Sequence, residues 1–318
     1  MAVLGTLAAV LIWIWTQYLP GYIVARALVP DARGLARHTL ALACGFCVVP
    51  LAIFLLSALA DLPMDRAFIH VVVGALNVGG LYWLTPWKTP DIGKRDSLIL
   101  LGLTAATALF LVFGFRAVDA GDVLTTIQHC LYVIALHGIQ SNPSESLPLY
   151  DAMTDSWMHF LINHETAKLS GLAQLLYEQR IGNVPILGYP IATIGMAGWF
   201  VSALHSVVLA TLCVGLAARE IGVRAWPAAI AAAVFAWASN IFSAYYVNEN
   251  YYALAMAAFL LWGALKTQLN VGFIVLMGLV MGHLVGVRHT SVLFLPVVFA
   301  AVIWPREPMP WKSRLQRL

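Results

Sequence analysis

Charge is scarce in this sequence. Asp, Glu, Lys and Arg make up 10% of its 318 residues, while apolar types make up 61%. Soluble domains carry about 25% charged residues. A mean hydropathy of +0.83 points the same way, and together these values exclude an ordinary soluble fold. The formal net charge is only +3, and no basic surface interleaved with aromatics occurs, so nucleic acid is not an expected partner. Cysteine is sparse, and no disulfide framework follows from its four positions. Cys44 and Cys47 lie inside the apolar run ALACGFCVVPLAIFLL, where such a spacing suits packing on one helix face. No HExxH motif is present, because His164 and Glu165 are followed by Thr166, Ala167 and Lys168, so a zincin is unsupported. No internal repeat emerges, which weakens an inverted-repeat transporter. The first run, AVLGTLAAVLIWIWTQYL, lacks a basic leader and a small-residue cleavage site. It is expected to be a retained span rather than a signal peptide.

Long apolar runs fill most of the chain. An all-α, polytopic transmembrane bundle of about nine spans is expected, each run being near the length that crosses the hydrocarbon layer. The runs lie near 2–19, 39–60, 68–86, 97–115, 190–217, 227–245, 251–265, 271–287 and 290–304. Trp and Tyr gather at their ends, as at Tyr18, Tyr82, Trp83, Tyr251 and Tyr252, which suits interfacial belts. With the N-terminus outside, the inner loops hold Arg26, Arg33, Arg37, Lys88, Lys94, Arg95, Arg219, Arg224 and Lys266. A basic cytoplasmic tail, 305–318, adds Arg306, Lys312, Arg314 and Arg317. The outer segments hold only Arg66, Arg116, Lys168, Arg180 and Arg288. By the positive-inside rule this asymmetry sets the orientation. Residues 1–96 form a three-span module, and residues 97–304 form the main bundle, interrupted by an external loop at 116–190.

That loop is the one polar stretch. Asp119 and Asp122 follow the fourth run closely. Two carboxylates at this spacing share a helix face and suit a divalent cation or a general base; Asp at a helix start also serves as a cap. His129 lies two turns after Asp122 and suits proton transfer. Asp151, Asp155 and His159 fall on one stripe of a helix, with His164 just beyond. They fit a hard metal with oxygen and nitrogen ligands, Mg or Mn, or else a solvated face opposite Met153, Trp157 and Phe160. Asn183 closes the loop, in RIGNVPILGYP. Near the C-terminus, GLVMGHLVGVRHTSVLFLP joins Gly278, Gly282, Arg288, His289 and Pro296.

This order resembles the GT-C superfamily of integral membrane glycosyltransferases, over roughly 97–304. The shared features are a span running outward, an external loop with an acid just past the membrane, and later a glycine-containing helix, a basic residue and a proline-closed apolar segment. The resemblance implies a protein of the bacterial inner membrane that uses a polyprenyl-phosphate-linked sugar as donor. It implies catalytic roles for Asp119 and Asp122. Arg288 would hold the lipid phosphate, with His289, His129 and Asn183 as neighbouring substrate contacts. Two other classes remain open. Polar residues inside the runs, namely His70, Asn77, His205, Asn240 and His283, suit a lipid or solute transporter. A non-catalytic subunit bound to other membrane subunits would suit a short bundle.

Overall fold

The computed structural model describes residues 2–60, 62, 64–83, 92–109, 184–195, 197–243, 249–266, 269–287 and 289–303. These are mostly helical, with no strand among them. The first helix runs through α1 (Ala2–Trp13), a π-helical turn π1 (Ile14–Tyr18) and α2 (Leu19–Leu28). The second runs through α3 (Gly34–Ala43), π2 (Cys44–Val48) and α4 (Val49–Ala60). Then come α5 (Arg66–Trp83), α6 (Lys94–Leu109), π3 (Val184–Gly188), α7 (Tyr189–Ile194), α8 (Ala197–Glu220), α9 (Ala225–Ser243), α10 (Glu249–Leu265) and α11 (Val271–Val287). A 3₁₀ turn, His289–Phe294, leads into α12 (Leu295–Ile303).

Among the described residues, three helices are long and apolar enough to cross a bilayer: Leu7–Leu28, Gly34–Ser57 and Phe200–Glu220. The remaining apolar helices, such as Arg66–Tyr82 and Val271–Val287, are shorter. Where one run was expected over 190–217, there are two helices. Gly195, at φ 77°, closes α7 by donating its N–H to Ile191 O, so α8 starts afresh. Helix ends elsewhere follow their cap chemistry. Asp65 accepts from Phe68 N at 2.8 Å to start α5, and Asn270 accepts from Phe273 N at 2.8 Å to start α11. Gly222, at φ 88°, ends α8, with Val223 N bonding back to Ala218 O.

The core surrounds α8, which packs on α10, α9, α6 and α3. One continuous cluster joins Leu40, Cys44 and Phe46 of the second helix to Ile99, Ala203, Phe259, Met277 and Leu284. A smaller cluster sets Val49, Ile53 and Phe54 against Ile69, Val73 and Tyr189. Cys44, Cys47 and Cys213 are free thiols in the interior. Large apolar side chains such as Leu59, Val71 and Val271 are exposed, as lipid-facing positions are.

The long helices alternate in direction, which brings their basic ends together; the short α7 is antiparallel to α8 and runs the same way as α6. A Cβ at Gly272 would fall on Leu28 O, so α11 begins beside the end of α2. Lys266 Nζ lies 3.3 Å from Glu220 Oε1, joining the ends of α10 and α8. Gly102 abuts the Ala229 backbone and Ile99 abuts Gly215, so α6 starts at this same end. Arg26, Arg33, Arg37, Lys94, Arg95, Arg219, Arg224 and Lys266 therefore collect at one end of the bundle. Among the described residues only Arg66 carries a cation at the other.

Candidate functional site

The polar groups inside the apolar bundle meet at its helical irregularities. Each π turn stands just ahead of a proline: π1 before Pro20, π2 before Pro50 and π3 before Pro190. A proline ring clashes with the carbonyl four residues back and cannot donate to it. A wider turn relieves the clash, as Leu19 N–H bonding Ile14 O and Val49 N–H bonding Cys44 O illustrate. The freed carbonyls then need donors, because hydrocarbon offers none.

Side chains of other helices supply them. Pro20 leaves Thr16 O free, and Tyr189 Oη donates to it at 2.5 Å. Asn77 Nδ2 donates to the neighbouring Trp15 O at 2.9 Å. Pro190 leaves Ile186 O free, and Ser202 Oγ donates to it at 3.0 Å. At the second helix, His283 Nδ1 donates to Cys47 O at 3.2 Å and His205 Nε2 donates to Leu42 O at 3.0 Å. These contacts tie α5, α7, α8 and α11 to the first two helices.

His205 forms the densest of these links. Its ring is 2% exposed and lies between Trp13, with centroids 5.4 Å apart, and Phe46, at 5.1 Å. With Nε2–H donating to Leu42 O, Nδ1 of the neutral ring is an acceptor. It takes the Trp13 Nε1–H at 3.3 Å. Gln17 Oε1 stands 2.8 Å from the same nitrogen, and turning the amide over would place its N–H against this acceptor and give Nε2 a partner. Both ring nitrogens are thereby engaged. His205 is a cross-link between the first helix, the second and α8, not a free proton carrier. Tyr18 and His38 make a second such contact nearer the basic end, Tyr18 Oη to His38 Nδ1.

Tyr189→Phe is expected to cost about 0.6 kcal/mol, the average for hydrogen bonds between membrane helices, and no more than about 1.7 kcal/mol. In a Pro20→Ala background the backbone regains a donor for Thr16 O, so the same change should cost less. Thermal unfolding of the four proteins in lipid nanodiscs measures the difference. Equal costs in both backgrounds would sever the link between Pro20 and Tyr189.

The residues expected from sequence to form the site are a different set. Asp119, Asp122, His129, Asp151, Asp155, His159, His164, Asn183 and Arg288 lie outside the described residues. His289 opens the 3₁₀ turn directly after α11. In α11, Gly278 and Gly282 have open space where a Cβ would stand, so packing among the described residues does not demand glycine at either. Pro296 sits in the first turn of α12, where a missing N–H costs little. Of the polar residues inside the apolar runs, Asn77, His205 and His283 are backbone caps, and the Asn240 side chain lies outside the description. The tying of π turns to prolines and cross-helix donors was not foreseen; Pro20, Pro50 and Pro190 inside apolar runs were the available signal. No family model, curated protein or solved structure matches the chain.

Proposed function

We propose that this chain is a membrane glycosyltransferase of the GT-C type. It moves a sugar from a polyprenyl-phosphate donor to a lipid or glycan acceptor on the outer face of a bacterial inner membrane. The observation that carries the reading is the alternation of the long helices. Helix α6 runs away from the basic end, and the next long helix among the described residues, α8, begins at the opposite end, where α7 packs on α1. This supports attachment of the acid-rich segment at the less basic face, the outer one by the positive-inside rule. An N-terminus on that same outer side, and a cytoplasmic tail, belong to the same reading.

In this reading Asp119 or Asp122 accepts the proton of the acceptor hydroxyl as its oxygen attacks the anomeric carbon. The bond from that carbon to the phosphate oxygen breaks, and the leaving polyprenyl phosphate carries away the electron pair. Arg288 balances the charge that develops there, a task suited to a guanidinium fork. His289, His129 and Asn183 flank the substrate. Asp151, Asp155, His159 and His164 would hold Mg or Mn if the reaction uses one. Transport loses part of its basis, because Asn77, His205 and His283 serve the backbone of the bundle.

Arg288 separates a carrier-using protein from a scaffold. Arg288→Gln removes a charge-assisted contact of about 1.5–3 kcal/mol. It should weaken binding of polyprenyl phosphate by about ten- to a hundredfold. Arg288→Lys should recover part, because the charge stays and the fork is lost. Titration of the purified protein with polyprenyl phosphate in nanodiscs reads both. Parent-like binding by both variants would leave Arg288 as an interfacial anchor only.

A further inference from the structure

The second helix changes partners at Pro50. Up to Cys47 it is held by polar and backbone contacts. His205 and His283 donate to Leu42 O and Cys47 O, Gly21 meets the Ala41 carbonyl, and Gly45 meets the Gln17 carbonyl. Leu40, Cys44, Phe46 and Cys47 also belong to the main apolar cluster. From Val49 onward the neighbours are different. Val49, Ile53 and Phe54 pack in the smaller cluster with Met64, Ile69, Val73 and Tyr189. The border between the two clusters therefore falls at Val48, the last residue of π2.

A separate set of contacts joins α4 to α5. Ser57 Oγ donates to Leu62 O, and Leu62 N–H returns a bond to Ser57 O at 3.0 Å. The Asp65 cap then starts α5. Helix α4 and the first half of α5 are thus one hairpin with a small core of its own. Leu55, Leu56, Leu59 and Val71 leave its outer surface apolar and exposed. The far half of α5 is pinned to the first helix, by Asn77 on Trp15 O and by Ile23 against Gly80. Helix α7 belongs to the body instead, because a Cβ on Gly198 of α8 would strike the Pro190 carbonyl.

We infer that the α4–α5 hairpin is a hinged arm that swings about π2 and Pro50 while the rest of the bundle stays in place. Pro50 has no N–H for Phe46 O, and prolines and π turns are where long helices bend. Motions of packed units are absorbed at a few such positions. Below the hinge, the backbone crossing of Gly21 and Gly45 fixes the helix. Above it, a few apolar side chains hold the arm, and a segment with so few buried partners lies at the low end of local stability. Helix α4 has 12 residues, a lever of about 18 Å. A bend of about 20° moves its tip by about 6 Å. The swing draws Ile53 and Phe54 off Tyr189 and opens the bundle sideways, at the end opposite the basic one. It is a motion of the fold, and it is tested without any assay of sugar transfer.

The test uses the full chain in nanodiscs. Spin labels are carried by non-canonical amino acids, so the four native cysteines stay in place. One pair joins Leu59, near the tip of the arm, to Leu293, in the turn after α11. The other joins Arg33 to Ile221 at the basic end; all four positions are exposed. Pulsed electron double resonance measures both distances. In the parent the Leu59–Leu293 distances should spread over up to about 6 Å more than the Arg33–Ile221 distances. Phe54→Ala loosens the core of the arm and should widen or shift the first distribution, with the second unchanged. Pro50→Ala gives Phe46 O a donor and should narrow the first. A narrow parent distance that Phe54→Ala alone moves still assigns the hinge, with the arm closed at rest. The inference is overturned if neither the parent nor Phe54→Ala spreads the outer pair beyond the inner one, or if Pro50→Ala leaves that spread as it was.

Discussion

With Asn in place of Asp119, sugar transfer is expected to fall by about a hundred- to ten-thousand-fold, the usual worth of a general base. The substitution keeps the shape of the side chain and removes its proton-accepting charge. Asp122→Asn is the companion, because either acid could take the proton, and the residue whose loss is the more costly is the base. Both proteins should insert and melt like the parent, which separates loss of chemistry from loss of fold. The measurement is the initial rate of label transfer from a polyprenyl-phosphate-linked sugar to acceptors in isolated membranes. Full rates in both variants would remove the acid pair from the reaction.

The second large effect lies in the bundle itself. The first two helices touch through backbone at Gly21 and Gly45. A Cβ on Gly21 would stand 2.2 Å from Ala41 O and 2.5 Å from Gly45 N, and one on Gly45 would stand 2.3 Å from Gln17 O. Those neighbours are backbone atoms of helices, so no side chain can swing aside. Small residues at such crossings are what let membrane helices approach closely. Gly21→Ala or Gly45→Ala should therefore cost about 3 kcal/mol or more, at or above the usual range for overpacking. The damage should spread, because the same crossing positions Gln17 and Leu42 around His205. Gly79→Ala is the control: it is helical, exposed, and has nothing within 4 Å of the added carbon. It should be neutral or slightly stabilising. Unfolding in nanodiscs followed by Trp fluorescence would show it, and a Gly45→Ala protein as stable as Gly79→Ala would contradict the close crossing.

Much of the helical order could be read from the chain, because helix formation in lipid follows from apolar run length alone. The runs near 227–245, 251–265 and 271–287 appear as α9, α10 and α11 within a few residues. The run 190–217 hid a break, since Gly195 inside an apolar stretch resembles any tolerated glycine until its positive φ is known. Helix lengths were harder still. The first helix continues past Tyr18 to Leu28, through Pro20, because the π turn absorbs a residue that would otherwise end it. The roles of Asn77, His205 and His283 were not legible, since each serves a carbonyl in a helix distant in sequence. Polar groups in apolar runs suggest a pathway when seen singly; their partners make them structural.

The most direct test of the proposed function is release of the carrier. Purified parent protein, reconstituted in vesicles with a panel of polyprenyl-phosphate-linked sugars and an extract of membrane lipids and glycans, is assayed for free polyprenyl phosphate by mass spectrometry. The account predicts that at least one donor is consumed, with the sugar appearing on an acceptor, and that the protein carrying both Asp119→Asn and Asp122→Asn consumes none. Inserted, folded parent protein that consumes no donor, or a double variant that works at the parent's rate, would contradict it.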